Sequence, residues 1–326
     1  MKALLTKGFT RDLRPYTLLA IVITIVGAID HGTGYFFRGA TLFSVMQIFA
    51  TYGLVSLAVG LSLLVREFDI SVAGMVSLSG AVAVLAGARD PWFGAGLALV
   101  VGLIGGAAQG LIITRLGLGS VGVSLGGLLS FQGLTYVLTG NQSVSFEHVE
   151  LALALNAPIG VVFSVRSLIV LAAFALASVV MQFSRVGRDI LATGGDRRAS
   201  AMAGVKTGAI VTGVFAASGL LCALSGVVLS YGLAAASPAA LADVLAPAAA
   251  GAIIGGVSLV GGRGHPAGIA AGVLALCVLR SGLNAAGASA DMLDIATGLV
   301  LLLIAVLDAP ELARRLTEWR LNRRGA

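Results

Sequence analysis

A chain of 326 residues with 58% hydrophobic and only 11% charged side chains reaches a mean hydropathy of +1.00. A soluble domain carries about 25% charged residues, so this chain lacks the polar surface to live in water, and its main solvent is lipid. The net charge of +6 does not imply nucleic-acid binding, because the cations lie between hydrophobic spans and form no continuous basic face.

The apolar runs are continuous and not alternating, which argues against a membrane β-barrel and predicts an all-α integral membrane protein. In chain order, ten candidate transmembrane helices cover residues 16–36, 41–64, 70–88, 93–114, 119–139, 166–183, 208–231, 244–260, 266–286 and 291–307. Gly, Ser and Asp interrupt the third and the eighth, which are either whole or broken helices. The 45 glycines suit close helix packing in lipid. Gly102/Gly106/Gly110, Gly122/Gly126, Gly251/Gly255 and Gly268/Gly272 all keep small-xxx-small spacing. Cys222 and Cys277 fall inside spans and read as buried free thiols.

Counting cations sets the orientation. With the N-terminus in the cytoplasm, alternation through ten spans leaves only Arg38, Arg89 and Arg166 outside and Arg280 within a span. Every other Lys and Arg, from Lys2 to Arg324, is then cytoplasmic, as are both termini. Residues 1–15 form a cytoplasmic lead, not a cleaved signal peptide. Residues 184–207 form a cytoplasmic loop. Residues 308–326 form an amphipathic tail, opened by a capping box of Asp308 and Glu311 and anchored by Trp319. The longest outer loop, 140–165, carries Glu147, His148 and Glu150; their spacing puts no three ligands on one helical face, so it reads as a solvated acidic loop.

The polar stretch from Gly187 to Val205 stands out in an apolar second half. Asp196 reads as an N-cap, Arg197 to Ala203 as a short helix, and Gly204 as its C′ stop. Such a stretch is either a solvated loop whose arginines only set topology or a helix that engages a soluble partner.

The sequence has no GxxxxGK[ST] phosphate loop, no HExxH, no CxxC and no GxSxG. Nothing therefore points to an enzyme, or to a cofactor or metal held by this chain. Polar residues in or beside the spans are few: Gln47, Gln109, Gln132, Asn284 and Asp294, with Asp69 at an edge. Each is either an interhelical hydrogen bond or a functional group. Gln47, Asp69, Ser71, Gln132, Ser258 and Asn284 are the candidates to line a translocation path. The near absence of buried acid argues against ion-coupled transport and for an outside energy source.

Three stretches carry a family resemblance: Glu67 to Gly80 (EFDISVAGMVSLSG), Gly187 to Val205, and Gly255 to Gly272 (GGVSLVGGRGHPAGIAAG), with Ser281 to Ser289 (SGLNAAGAS) in support. Together they resemble the permease subunits of ribose-type ABC sugar importers, within the larger group that includes branched-chain amino-acid permeases. The resemblance implies one permease domain of about ten spans over 1–326, in the bacterial inner membrane. It also implies a partner permease, either a second copy or a paralogue, and an ATPase subunit that holds ATP and Mg. A periplasmic binding protein would deliver a sugar or polyol. Residues 196–204 would be the coupling helix. Gly194 and Gly195 would form the turn that feeds it, and Asp196, Arg197, Arg198, Ala199, Ser200, Met202 and Gly204 would meet the ATPase. Phe68, Glu67, Ala73 and Ser120 depart from the family pattern, and the resemblance does not identify the sugar. Import of amino acids or nucleosides, an intramembrane enzyme and a scaffold are the other readings.

Overall fold

The computed structural model describes residues 13–29, 36–238 and 244–308. The tail from Glu311 through Trp319, the start of the cytoplasmic lead and His31 lie outside them. Each candidate span contains a helix. In order these are α1 (Arg14–Ile29), α2 (Gly39–Leu64), α3 (Val72–Ala86), α4 (Pro91–Leu116), α5 (Ser120–Thr139), α7 (Val165–Phe183), α10 (Thr207–Gly232), α11 (Leu245–Ile254), α12 (Pro266–Ala285) and α13 (Ala290–Asp308). Three further helices, α6 (Val149–Asn156), α8 (Arg185–Gly195) and α9 (Arg197–Met202), lie in the connections. Among the described residues, six helices, α2, α4, α5, α7, α10 and α12, are long and apolar enough to cross a bilayer by themselves.

Local chemistry sets the helix ends. Asp90 accepts a hydrogen bond from the Trp92 amide at 2.9 Å, Pro91 opens α4, and Gly117 closes it in the left-handed region. Ser164 and Ser167 form a reciprocal capping box at the start of α7. His265 accepts from the Ala267 amide ahead of α12.

The core lies along α2 and α10. Phe49, Leu54, Leu57 and Phe215 are among its fully buried side chains, and Phe49 stacks on Phe174 of α7 at 5.6 Å. α10 packs against α2, α3 and α4, while α2 also meets α7, α11 and α12. Glycine admits the closest of these approaches. A Cβ at Gly106 of α4 would overlap the Phe215 carbonyl of α10, and one at Gly110 would lie 2.7 Å from the Thr212 Cα. The Gly102/Gly106/Gly110 ladder is thus a packing surface. A Cβ at Gly122 or Gly126 of α5 would meet nothing within 4 Å among the described residues, so these two glycines face open space.

Three expectations are sharpened. Of the whole and broken alternatives for the eighth segment, the broken one holds: α11 stops at Ile254, and two glycines turn the chain although Val257, Leu259 and Val260 continue the apolar run. Residues 184–207 are not one loop around one helix, since α8 fills their first half. Residues 140–165 are ordered by α6 and by Val144–Ser145 (β1), which pairs antiparallel with Ala235–Ala236 (β2). Buried Phe146 stacks on Tyr231 there at 4.3 Å.

Gly106→Val should lower the stability of the purified protein by about 1–3 kcal/mol, the range for overpacking a tight interface. Gly96→Ala, at a site with nothing within 4 Å, should leave thermal unfolding in detergent unchanged or shift it slightly upward.

Candidate functional site

The second and third motif stretches, with the start of the first, converge at one end of the bundle. The chain leaves α2 at Leu64 and enters α3 at Val72, and this junction is bonded to five other elements. The Leu64 carbonyl accepts from the Gly262 amide at 2.9 Å. Arg66 adopts a left-handed conformation (φ 66°), and its Nε donates to the Val260 carbonyl. Glu67, nearly buried, accepts from Arg197 Nη2 of α9 at 2.7 Å. The Phe68 amide donates to Ser120 Oγ of α5 at 3.2 Å, and the Phe68 carbonyl accepts from Ser124 Oγ.

Asp69 is buried inside the same knot. Its Oδ1 accepts from the Ser71 amide at 3.0 Å and from Ser71 Oγ at 2.6 Å, and its Oδ2 accepts from Ser218 Oγ of α10 at 2.9 Å. Gln109 of α4 donates to Ser71 Oγ at 2.9 Å. The Asp69 carboxylate is therefore fully engaged in tying α3, α4 and α10 together.

Asp196 is the N-cap of α9, accepting from the Arg198 and Ala199 amides, both at 2.9 Å. Gly204 (φ 89°) follows the helix as its stop. Ser200 turns inward, whereas Arg198, Ala199 and Ala201 are exposed and Met202 is 85% exposed. Gly194 and Gly195 do not form a feeding turn. They are the last two residues of α8, and a Cβ at Gly194 would overlap the Leu64 carbonyl and lie 2.6 Å from the Gly262 amide nitrogen. Glycine is needed there for backbone contact. The amphipathic face that forms α8, with Ile190 and Thr193 buried, is the signal that a loop reading of this stretch misses.

The six path candidates do not meet in one place. Asp69 and Ser71 sit in the knot. Ser258 lies in the turn after α11, where its Oγ accepts from the Val260 amide at 3.2 Å. Gln47 is half-buried on α2, with its Oε1 lacking a partner. Gln132 donates to Tyr136 on the exposed face of α5 at 3.3 Å. Asn284 is exposed near the end of α12. Two arginines are part of the interior. Arg166 is buried and donates to Asn156 Oδ1 at 3.0 Å. Arg280 pairs with Asp294 of α13 at 3.0 Å and lies 5.7 Å from the centre of the Tyr52 ring.

With this geometry in hand, the comparisons place the chain. The family model described as branched-chain amino acid transport system / permease component matches residues 41–305. The ribose import permease protein RbsC of Escherichia coli (strain K12) is 29% identical over 310 residues, 93% of this chain and 95% of the relative. The D-allose transport system permease protein AlsC of the same strain is 32% identical over 287 residues, 82% of each chain. The fructose import permease protein FruF of Bifidobacterium longum (strain NCC 2705) is 26% identical over 96% of this chain and 90% of its own. No solved structure gives a significant match.

The Ala199 and Arg198 amides, aided by the charges of Arg66 and Arg198, hold the Asp196 carboxyl below its usual range. A depressed folded value stabilises the capped helix above the ordinary carboxylate value, and that stabilisation is lost as pH falls through the folded one. Hydrogen-exchange protection of residues 197–203 should therefore be flat at neutral pH and fall in acid. Asp196→Asn should retain the cap with weaker pH dependence, and Asp196→Ala should lose protection at every pH.

Proposed function

The chain belongs to the branched-chain amino acid transport system permease family, and from that premise we propose that it is the membrane subunit of an ATP-driven importer for a sugar or sugar-like polyol. The observation that carries the coupling role is α9: a capped, outward-facing helix tied to the knot between α2 and α3 by the Glu67–Arg197 pair. An ATPase subunit, holding ATP and Mg, receives the exposed Arg198, Ala199 and Met202. This chain binds no cofactor. ATP-driven closure of the ATPase pair pushes α9, and the knot passes the displacement to α3, α4, α5 and α10. Alternating access follows as rigid elements rock against one another.

Residues 1–326 act as one permease domain in the bacterial inner membrane, paired with a second permease and loaded by a periplasmic binding protein. All ten apolar helices cross or enter the membrane, with α3 and α11 as short, protein-buried elements. Both termini are cytoplasmic. The positions of the cations support this orientation: Arg66, Arg115, Arg188, Arg198 and Arg263 belong to segments at the α9 end, and Arg38, Arg89 and Arg166 to segments at the other. The names of the relatives support sugar as cargo.

Ala199→Glu or Met202→Glu should cut sugar uptake by the assembled transporter about tenfold or more, the size of losing an interface anchor, with membrane insertion intact. Glu67→Gln should lower the sugar moved per ATP hydrolysed. Undiminished uptake in both α9 variants would remove the coupling assignment. Reporter fusions after Gly140 and after Arg198 should report opposite sides of the membrane; agreement between them would overturn the topology.

A further inference from the structure

A second polar group lies far along the chain from the coupling knot, and no motif stretch contains it in full. A cavity of about 10 Å³ is enclosed between α2, α11, α12 and α13. Tyr52, Cys277, Arg280 and Thr297 line it together with Pro247 and apolar side chains. Arg280 Nη2 donates to Asp294 Oδ1 at 3.0 Å, its Nη1 is buried without a hydrogen-bond partner among the described residues, and its guanidinium faces the Tyr52 ring. Only 17% of the Arg280 side chain is exposed, against 71% of that of Asp294.

We propose that Arg280, Asp294 and Tyr52 form a contact site for a neutral polyhydroxy ligand inside the translocation path, an inference that rests on the sugar-import reading. A buried donor without a partner costs free energy until something occupies it. A ligand hydroxyl has the matching chemistry: it accepts from the guanidinium and donates to the carboxylate at the same time. The C–H face of a sugar ring fits the Tyr52 ring. The matched charges disfavour an anion, which would meet the Asp294 carboxylate beside Arg280. At 10 Å³ the cavity holds about one water. A sugar enters only when α13 moves away and its hydroxyls take the place of the Arg280–Asp294 bond. The pair is thus both the ligand contact and the closure that forms once the ligand has gone.

The test uses the permease reconstituted with its ATPase and binding protein, and radiolabelled D-ribose, D-allose and D-fructose as probes. Asp294→Asn and Arg280→Lys should each reduce the sugar moved per ATP hydrolysed about tenfold, as expected for one lost charge-assisted hydrogen bond. The exchange Arg280→Asp with Asp294→Arg should recover the melting temperature without recovering that ratio, because it moves the guanidinium away from Tyr52. A wild-type ratio in both single variants, or its recovery in the exchange variant, would leave a purely structural pair and overturn the ligand contact. If the wild-type assembly moves none of the three sugars, the import reading itself falls, and this site with it. Transport by the wild type combined with unaffected variants removes the site alone.

Discussion

Between α2 and α3 the backbone stops being helical inside a protein that has little water to offer it, and every exposed N–H and C=O must find a partner in the bundle. The sequence meets this constraint with neighbours from far along the chain. Gly262 takes the Leu64 carbonyl, Ser124 takes the Phe68 carbonyl, and Ser120 accepts from the Phe68 amide. Asp69 accepts from Ser71 and Ser218, while Arg66 reaches Val260. Satisfying one short connection therefore fixes the relative positions of α4, α5, α9, α10 and the turn before α12. None of these could shift alone without leaving a buried polar group unpaired.

Glycine makes that arrangement possible. At Gly194 the end of α8 touches the end of α2 backbone to backbone, and at Gly106 α4 touches α10 in the same way. A larger residue at either position would hold the elements apart and stretch the hydrogen bonds across them. Close packing of this kind has little compliance, so a displacement at α9 is passed on and not absorbed. The Glu67–Arg197 pair joins α9 to the packed knot. With Arg197 about half exposed, solvent screens the pair, and its role is better seen as registration than as a source of stability.

Much of this was legible in the sequence, and what was not has physical causes. The helix within each apolar segment followed from hydrophobic length, and the Asp196 cap with the Gly204 stop followed from residue type. α8 was missed because Gly187, Gly194 and Gly195 look like loop residues, whereas its stability comes from burying Ile190 and Thr193 against the bundle. α11 was drawn too long because the apolar run continues through Val260 while two glycines turn the backbone. Small-residue spacing marked a packed ladder at Gly106 and an open face at Gly122, since spacing alone does not say what lies opposite. Asp69 and Ser71 were recognisable as unusual, but their partners Gln109 and Ser218 come from helices whose approach no local pattern records.

Three acids near the spans are held by partners. Glu67 has Arg197, Asp294 has Arg280, and Asp69 has two serines. Removing one member of a buried or half-buried pair strands the other, which costs more than the pair contributes when intact. Matched groups therefore favour discrete arrangements over gradual ones, because intermediate positions leave charges unpaired. The proposed coupling to an ATPase would move such groups from outside the chain. In this chain the force would arrive at an exposed six-residue helix and meet a charge pair there, while a second pair sits between α12 and α13. Two pairs that are either made or broken, joined by a core that compresses little, favour discrete arrangements of the bundle over a continuous range.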